Sequence, residues 1–133
     1  MAYFNTVDYV TIASTGNATD FGDLTAAKTG VGSCASPTRA LVGAGYDGLS
    51  TVTIEYFTIA TTGNGTDFGD LRNIDSEIFA GSSYVRGVFQ AGGNNNPPEL
   101  NYVTIASLGN ASDFGDIEDG SKSGGASNGH GGL

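Results

Sequence analysis

The sequence is poor in basic residues: it has five lysines and arginines against 14 acids in 133 residues, and a net charge of −9. A phosphate backbone or an anionic membrane surface repels such an acidic chain, so we expect no nucleic-acid partner. Its one cysteine, Cys34, excludes an intramolecular disulfide and a cysteine-based zinc cluster. We expect Cys34 to be a small buried or half-buried side chain.

Long apolar runs and helical windows are missing as well. No window approaches the roughly 20 apolar residues that span a membrane, and residues 1–5 lack the basic and apolar segments of a Sec-type signal. We therefore expect no membrane insertion; if the protein works outside a cell, we expect it to leave by another route, such as lysis or assembly into a virion. Glycine and β-branched residues interrupt every candidate helix. The 22 glycines, with many Ser, Thr and Asn, predict an all-β chain that forms a single domain, 1–133.

What the sequence does contain is an internal repeat. Three segments align without gaps: residues 9–24 (YVTIASTGNATDFGDL), 56–71 (YFTIATTGNGTDFGDL) and 102–117 (YVTIASLGNASDFGDI). Their aromatic residues are the expected structural anchors of each repeat: Tyr9 and Phe21, Tyr56 and Phe68, Tyr102 and Phe114. The three tyrosines, at positions 9, 56 and 102, are 47 and 46 residues apart, which gives a repeat of about 46 residues.

A second, weaker motif lies between these segments. Residues 36–45 resemble residues 83–93, with Arg39 and Arg86 at matching positions, 47 residues apart. The C-terminal residues 127–133 can be aligned with the same motif, which places His130 at the arginine position. The domain then consists of a back half-repeat (1–24), two repeats (25–71 and 72–117) and a front half-repeat (118–133). Together the two halves make a third unit.

Strand patterning predicts how these units are built. Residues 50–60 alternate so that both faces of the strand are apolar, and both faces must then be covered by neighbouring sheets. A short strand over Arg39–Val42, a turn at residues 46–48 and a further strand from Asp67 complete the unit. We expect three similar antiparallel sheets of three or four strands around a pseudo-threefold axis, prism-like or propeller-like. The terminal half-repeats would complete one unit, although the Gly/Ser-rich tail also has the composition of a flexible linker.

The repeated Asp-Phe-Gly-Asp sequence places two acids in each unit. They are Asp20 and Asp23, Asp67 and Asp70, and Asp113 and Asp116. Calcium binding is a weak alternative, because the oxygen-rich order of an EF-hand loop is missing. The favoured interpretation is that these acids cap turns by accepting backbone N–H bonds, so we expect neither a metal nor a cofactor.

Each repeat also contains an N-x-[ST] sequon in the same loop. The candidate glycosylation sites are Asn17, Asn64 and Asn110, and the competing interpretation is a tight Gly-Asn turn. Arg39, Arg86 and His130 could form a ring of cationic ligand contacts, but we favour ion pairs between the arginines and the repeated acids. No hydrolytic triad can be assembled, and three equivalent copies argue against catalysis, so we expect no catalytic residue and no enzyme.

Two resemblances enter at these residues. Residues 39–48 (RALVGAGYDG), followed by Ile54-Glu55-Tyr56 and Arg72, resemble a degenerate kelch repeat, whose units are four-stranded propeller blades. The usual tryptophan of such a blade is absent, and Phe68 lies near its place. More specifically, residues 9–24 and the ending SNGHGGL are similar to tandem repeats in virion structural and tail-fibre-like proteins of cyanobacterial phages. This second resemblance covers nearly the whole chain.

The phage resemblance implies a structural or adhesive role in a virus particle. We therefore expect a virion component, such as a fibre, tail or surface protein, that acts by self-assembly and contacts surface glycans of a host. Its expected partner is itself, as a homo-oligomer or fibre, and its expected location is the virion or the extracellular space. Two alternatives remain: an extracellular filament subunit that polymerises by strand complementation in trans, and a small carbohydrate-binding module.

Overall fold

In the computed structural model, which describes residues 2–91, 98–118 and 124–125, the chain forms ten β-strands. They are β1 (Phe4–Tyr9), β2 (Thr19–Lys28), β3 (Gly32–Ala35), β4 (Arg39–Gly43), β5 (Thr51–Thr58), β6 (Thr66–Asp75), β7 (Ala80–Ser82), β8 (Arg86–Ala91), β9 (Glu99–Thr104) and β10 (Ser112–Asp116). No helix occurs within the described ranges, and none there could span a membrane. The all-β prediction is confirmed.

The strands form three antiparallel sheets. The first sheet pairs β1 with β2, the second has the order β3-β4-β5-β6, and the third has the order β10-β9-β8-β7. By sequence alignment β1 and β2 correspond to β5 and β6, and to β9 and β10. The predicted antiparallel sheets are therefore confirmed, whereas the first sheet has two strands rather than three or four within the described ranges. Most of residues 118–133 lies outside those ranges, so its completion of a unit stays a prediction.

Each Asp-Phe-Gly-Asp sequence carries a β-bulge at its phenylalanine. In β6, Asp67 pairs with Glu55 and Gly69 with Ile54, so Phe68 is the extra residue. The same register shift occurs in β2 and β10. A bulge bends its strand and redirects the side chain of the extra residue. The phenylalanine therefore does not follow the regular alternation of side chains between the two faces of the sheet.

The buried core lies between the second and third sheets. Its fully buried side chains include Leu41 and Ile54 of the second sheet and Phe89 of the third. At Gly43 an added Cβ would lie 2.9 Å from the Phe89 ring, so the missing side chain lets the aromatic ring approach the backbone. The prediction that strand 50–60 is covered on both faces agrees with this packing, because Ile54 and Glu55 are both buried although they point to opposite faces.

Candidate functional site: the joints between repeats

The repeated motif forms a joint between consecutive units. We define a joint as the contact of the Asp-Phe-Gly-Asp strand of one repeat with the Gly-Asn loop of the next. In the first joint, the N–H groups of Gly63 and Gly65 donate to the carbonyl oxygens of Phe21 and Asp23, both at 2.8 Å. The N–H of Asp23 donates in return to Asn64 Oδ1 at 3.1 Å.

The second joint repeats this pattern residue by residue. Gly109 N–H donates to the carbonyl oxygen of Phe68 at 2.9 Å, and Ala111 N–H donates to that of Asp70 at 2.8 Å. Asp70 N–H donates to Asn110 Oδ1 at 3.1 Å. The Gly-Asn loop and the Asp-Phe-Gly-Asp strand are equally spaced in every repeat. Their hydrogen bonds nevertheless join the strand of one repeat to the loop of the next, not two parts of the same repeat.

Glycine is required at the centre of both joints. Gly22 and Gly69 have φ angles of +153° and +145°, which side chains rarely adopt. An added Cβ at Gly22 would collide with the carbonyl oxygen of Gly63, and one at Gly69 would collide with that of Gly109. The glycine thus provides both the backbone conformation of the bulge and the space for the incoming loop.

The bulged phenylalanines fill the apolar part of each joint. Phe21 meets Phe57 of the next repeat edge to face, with ring centroids 5.9 Å apart. Phe68 is buried in the same apolar cluster as Val103, which aligns with Phe57. Within each unit the bulged phenylalanine also packs on the tyrosine anchor, at centroid distances of 5.9, 6.2 and 6.0 Å in the three units. Of these ring pairs, Phe21–Phe57 connects the first sheet to the second.

A buried polar side chain completes the first joint. Glu55 is fully buried; its carboxylate accepts the Thr25 N–H at 2.7 Å and the Lys28 ammonium at 2.7 Å, and the lysine side chain is buried too. In the second joint the equivalent residue is Asn101, whose Oδ1 accepts the Arg72 N–H at 2.8 Å. The side chain at this position thus accepts the equivalent backbone N–H in both joints. The acceptor is a charged carboxylate in the first joint and a neutral amide in the second.

The predicted acids do not cap turns in the way the sequence indicated. The motif acts through the backbone of Asp23 and Asp70, and no carboxylate of the six repeated acids accepts a backbone N–H in the described residues. One of them, Asp113, lies 3.4 Å from Arg72 at the surface. The described ranges also contain no cluster of three metal-ligating side chains. The acids act through their backbone because the bulge turns the N–H of Asp23 and Asp70, rather than the carboxylate, toward the next repeat.

Arg39 and Arg86 contact aromatic rings instead of the repeated acids. The Arg39 guanidinium lies 4.7 Å from the centroid of the Tyr56 ring and donates to the carbonyl oxygen of Ile105 at 2.9 Å. The Arg86 guanidinium lies 4.8 Å from the centroid of the Tyr102 ring. The expected ion pairs of Arg39 and Arg86 are therefore wrong, and stacking on the tyrosine anchor takes their place. His130 lies outside the described residues.

The sequons have a structural use in two of three repeats. Asn64 and Asn110 are the amide acceptors of the two joints, whereas Asn17, at the matching position of the first repeat, is exposed and makes no hydrogen bond within the described part of the chain. Glycosylation at the three sites stays a prediction. Sequence reasoning treated each Gly-Asn pair as a local turn and missed its partner, because that partner belongs to the preceding repeat.

Cys34 gives a test of packing between the second and third sheets. Burial raises the pKa of its thiol from 9.0 to about 12. We expect alkylation by iodoacetamide at pH 8 to be at least tenfold slower in the folded chain than in denaturant, because the thiolate is the reactive species. Between pH 9 and pH 12 the unfolded thiol ionises before the folded one, so stability should fall there, and less so in Cys34→Ser. Equal alkylation rates in the folded and unfolded chain would contradict this assignment.

No protein-family model matches this sequence, and no curated protein is significantly similar to it.

Proposed function

We propose that this chain is a structural component of a phage virion, such as a fibre, tail or surface protein, which works by self-assembly. The observation that carries the proposal is the incomplete first sheet. Among the described residues, strand β1 has a partner on one side only, whereas the corresponding strands β5 and β9 are each paired on both sides. The virion assignment within this proposal comes from the resemblance of the repeats to phage tail-fibre-like proteins.

The open edge of β1 is accompanied by exposed apolar side chains. Phe4 in this strand and Ile12 in the following loop are 72% and 97% exposed. An edge strand with unpaired N–H and C=O groups beside apolar side chains is a site for pairing with another strand. Residues 118–133, the predicted front half-repeat, are our candidate for that strand.

Two forms of closure are compatible with this candidate. Pairing within one chain would give the prism-like or propeller-like arrangement around a pseudo-threefold axis. Pairing between chains would give a fibre, which is also the geometry of the alternative function, an extracellular filament subunit. We favour assembly between chains, because both ends of the described chain have an unpaired edge. In the described residues β1 is an edge strand of the first sheet, and β10 is an edge strand of the third. Contact with surface glycans of a host is a secondary proposal that comes from the resemblance alone.

The 133-residue chain should therefore form species larger than the 13.4 kDa monomer as its concentration rises. Sedimentation velocity over a concentration series would measure this, and negative-stain micrographs of the same samples would distinguish a fibre from a ring or a compact particle. A chain that stays monomeric at every concentration would overturn the proposed function.

Deleting residues 126–133 tests the closing strand. If the tail closes the first sheet of its own chain, the deletion variant should lose folding, as measured by circular dichroism. If the tail closes the sheet of a neighbour, the variant should fold and fail to polymerise. A synthetic peptide of residues 118–133 should then cap β1 of the full chain and shorten its polymers. A variant that folds and polymerises as well as the parent would exclude the tail as the closing strand.

A further inference from the structure

The two ends of the stack of repeats expose opposite halves of the joint described above. In the third repeat the bulged phenylalanine, Phe114, is 51% exposed, whereas Phe68 in the second is 3% exposed. In the first repeat Val10 is 57% exposed, whereas the aligned Phe57 and Val103 are each 3% exposed. The exposed members are those whose partner repeat is missing from the described residues.

Polar groups show the same asymmetry. Asp8 aligns with Glu55 and Asn101, which are fully buried and accept the backbone N–H of Thr25 in β2 and of Arg72 in β6, respectively. Asp8 itself is exposed, and so is Asn17, the counterpart of the joint amides Asn64 and Asn110. The first repeat therefore exposes two hydrogen-bond acceptors, the Asn17 amide and the Asp8 carboxylate, for which the described part of the chain supplies no donor.

The strand side of the joint is present on β10 in the same backbone conformation as in β2 and β6. Its backbone carries the bulge, and Gly115 has a φ angle of +143°, like Gly22 and Gly69. An added Cβ at Gly115 would meet nothing within 4 Å, although the same position in the other two repeats is filled by the next Gly-Asn loop. The conformation that admits the loop is thus present where the loop itself is not.

We propose that β10 binds the residue 16–18 loop of a second copy of this chain through a third joint of the same geometry. The N–H groups of Gly16 and Ala18 donate to the carbonyl oxygens of Phe114 and Asp116, and Asp116 N–H donates to Asn17 Oδ1. The Phe114 ring packs on Val10 of the second copy. This inference rests on the proposed self-assembly and names the surface that performs it.

The occupant is a second copy because the complementary half of this joint is on the same chain, at its other end. The contact joins two different surfaces, so each copy keeps one free end, and the interface generates a chain of copies rather than a closed dimer. Both surfaces carry acids, Asp8 on one side and Asp113 and Asp116 on the other. Assembly should therefore strengthen with added salt, which screens their repulsion.

Two charge substitutions test the joint, one on each surface. Val10→Asp and Phe114→Asp should each weaken self-association at least tenfold, because each buries a carboxylate in an apolar contact. Both side chains are more than half exposed in the single chain, so the midpoint of thermal unfolding should change little in Val10→Asp, and in Phe114→Asp only by the lost contact with the Tyr102 ring. Tyr84→Asp is the matched control: Tyr84 is 53% exposed, outside the joint, and its replacement should leave assembly unchanged.

Mixing the two variants gives the decisive measurement. Each variant keeps one intact surface, so an equimolar mixture should form a heterodimer that grows no further, visible by sedimentation or native mass spectrometry. If the parent chain assembles but both variants assemble equally well, this joint is wrong and the proposed function survives. If the parent chain never assembles, the proposed function itself fails.

Photo-crosslinking distinguishes a second copy from closure within one chain. p-Benzoylphenylalanine at position 114 should crosslink to residues 8–18, and a mixture of 15N-labelled and unlabelled chains should give mixed crosslinked peptides. Crosslinks confined to a single isotope would show that the loop of the same chain occupies β10, and would overturn the proposal. Tyr102 touches Phe114 in the same chain, so a crosslink to it is expected in any case; crosslinks to other residues without any to residues 8–18 would overturn the proposal as well.

Discussion

Lys28→Met should reduce the free energy of unfolding by about 3–5 kcal/mol, because it leaves the Glu55 carboxylate buried without its cation. The lysine ammonium and this carboxylate are 2.7 Å apart, and both side chains are almost completely buried. Methionine keeps most of the lysine stem, so the loss comes from the charge rather than from a cavity. Denaturant unfolding at a concentration at which the chain is monomeric would measure it.

The double variant Lys28→Met/Glu55→Gln is the control. It removes both charges and keeps an acceptor for the Thr25 N–H, as Asn101 does for Arg72 in the second joint. It should therefore regain most of the lost stability, since a neutral replacement of a buried ion pair is often close to neutral overall. A double variant no more stable than Lys28→Met would contradict this account.

Gly69→Ala should lower the free energy of unfolding by about 3–5 kcal/mol, at the upper end for single substitutions. The φ angle of +145° is strained for a residue with a Cβ and costs about 1–3 kcal/mol. The remainder comes from the second joint, because the new methyl group collides with the carbonyl oxygen of Gly109 and separates the hydrogen-bonded partners. Urea unfolding of the monomeric chain would give the value.

Gly115→Ala is the matched control for that prediction. Gly115 has a similar φ angle, but an added Cβ would have no neighbour within 4 Å, so the substitution should cost only the backbone strain of about 1–3 kcal/mol. The same substitution should nevertheless abolish head-to-tail assembly, because a methyl group at this position blocks the incoming loop. Equal losses of stability at Gly69 and Gly115 would show that the joint contributes little to folding.

The local parts of this fold could be predicted from the sequence. A strand over residues 50–60 was expected and Thr51–Thr58 is observed; a strand over Arg39–Val42 was expected and Arg39–Gly43 is observed. Alternating apolar residues and turn-forming glycines specify such elements over a few neighbouring residues. The antiparallel pairing of successive strands followed for the same reason.

The polar interactions could not be predicted in the same way. Opposite charge predicted that Arg39 and Arg86 pair with the repeated acids. In the structure they stack on Tyr56 and Tyr102. The pair of Lys28 and Glu55 was missed, although a glutamate between Ile54 and Tyr56 in a strand with two apolar faces was the available signal. Pattern reasoning assigns a residue to a face, but it does not specify which side chain from another sheet will meet it.

The all-β class, the repeat and the strands in which each motif lies follow from the amino-acid sequence alone, because these depend on short-range periodicity and on turn chemistry. That the two parts of the motif belong to different joints is visible only in the folded chain. Asp23 and Asn64 are 41 residues apart, and a bulge at Phe21 is needed to aim the backbone at the loop. That geometry depends on how one sheet packs on the next, and it turns a repeated sequence into a surface that can bind another copy.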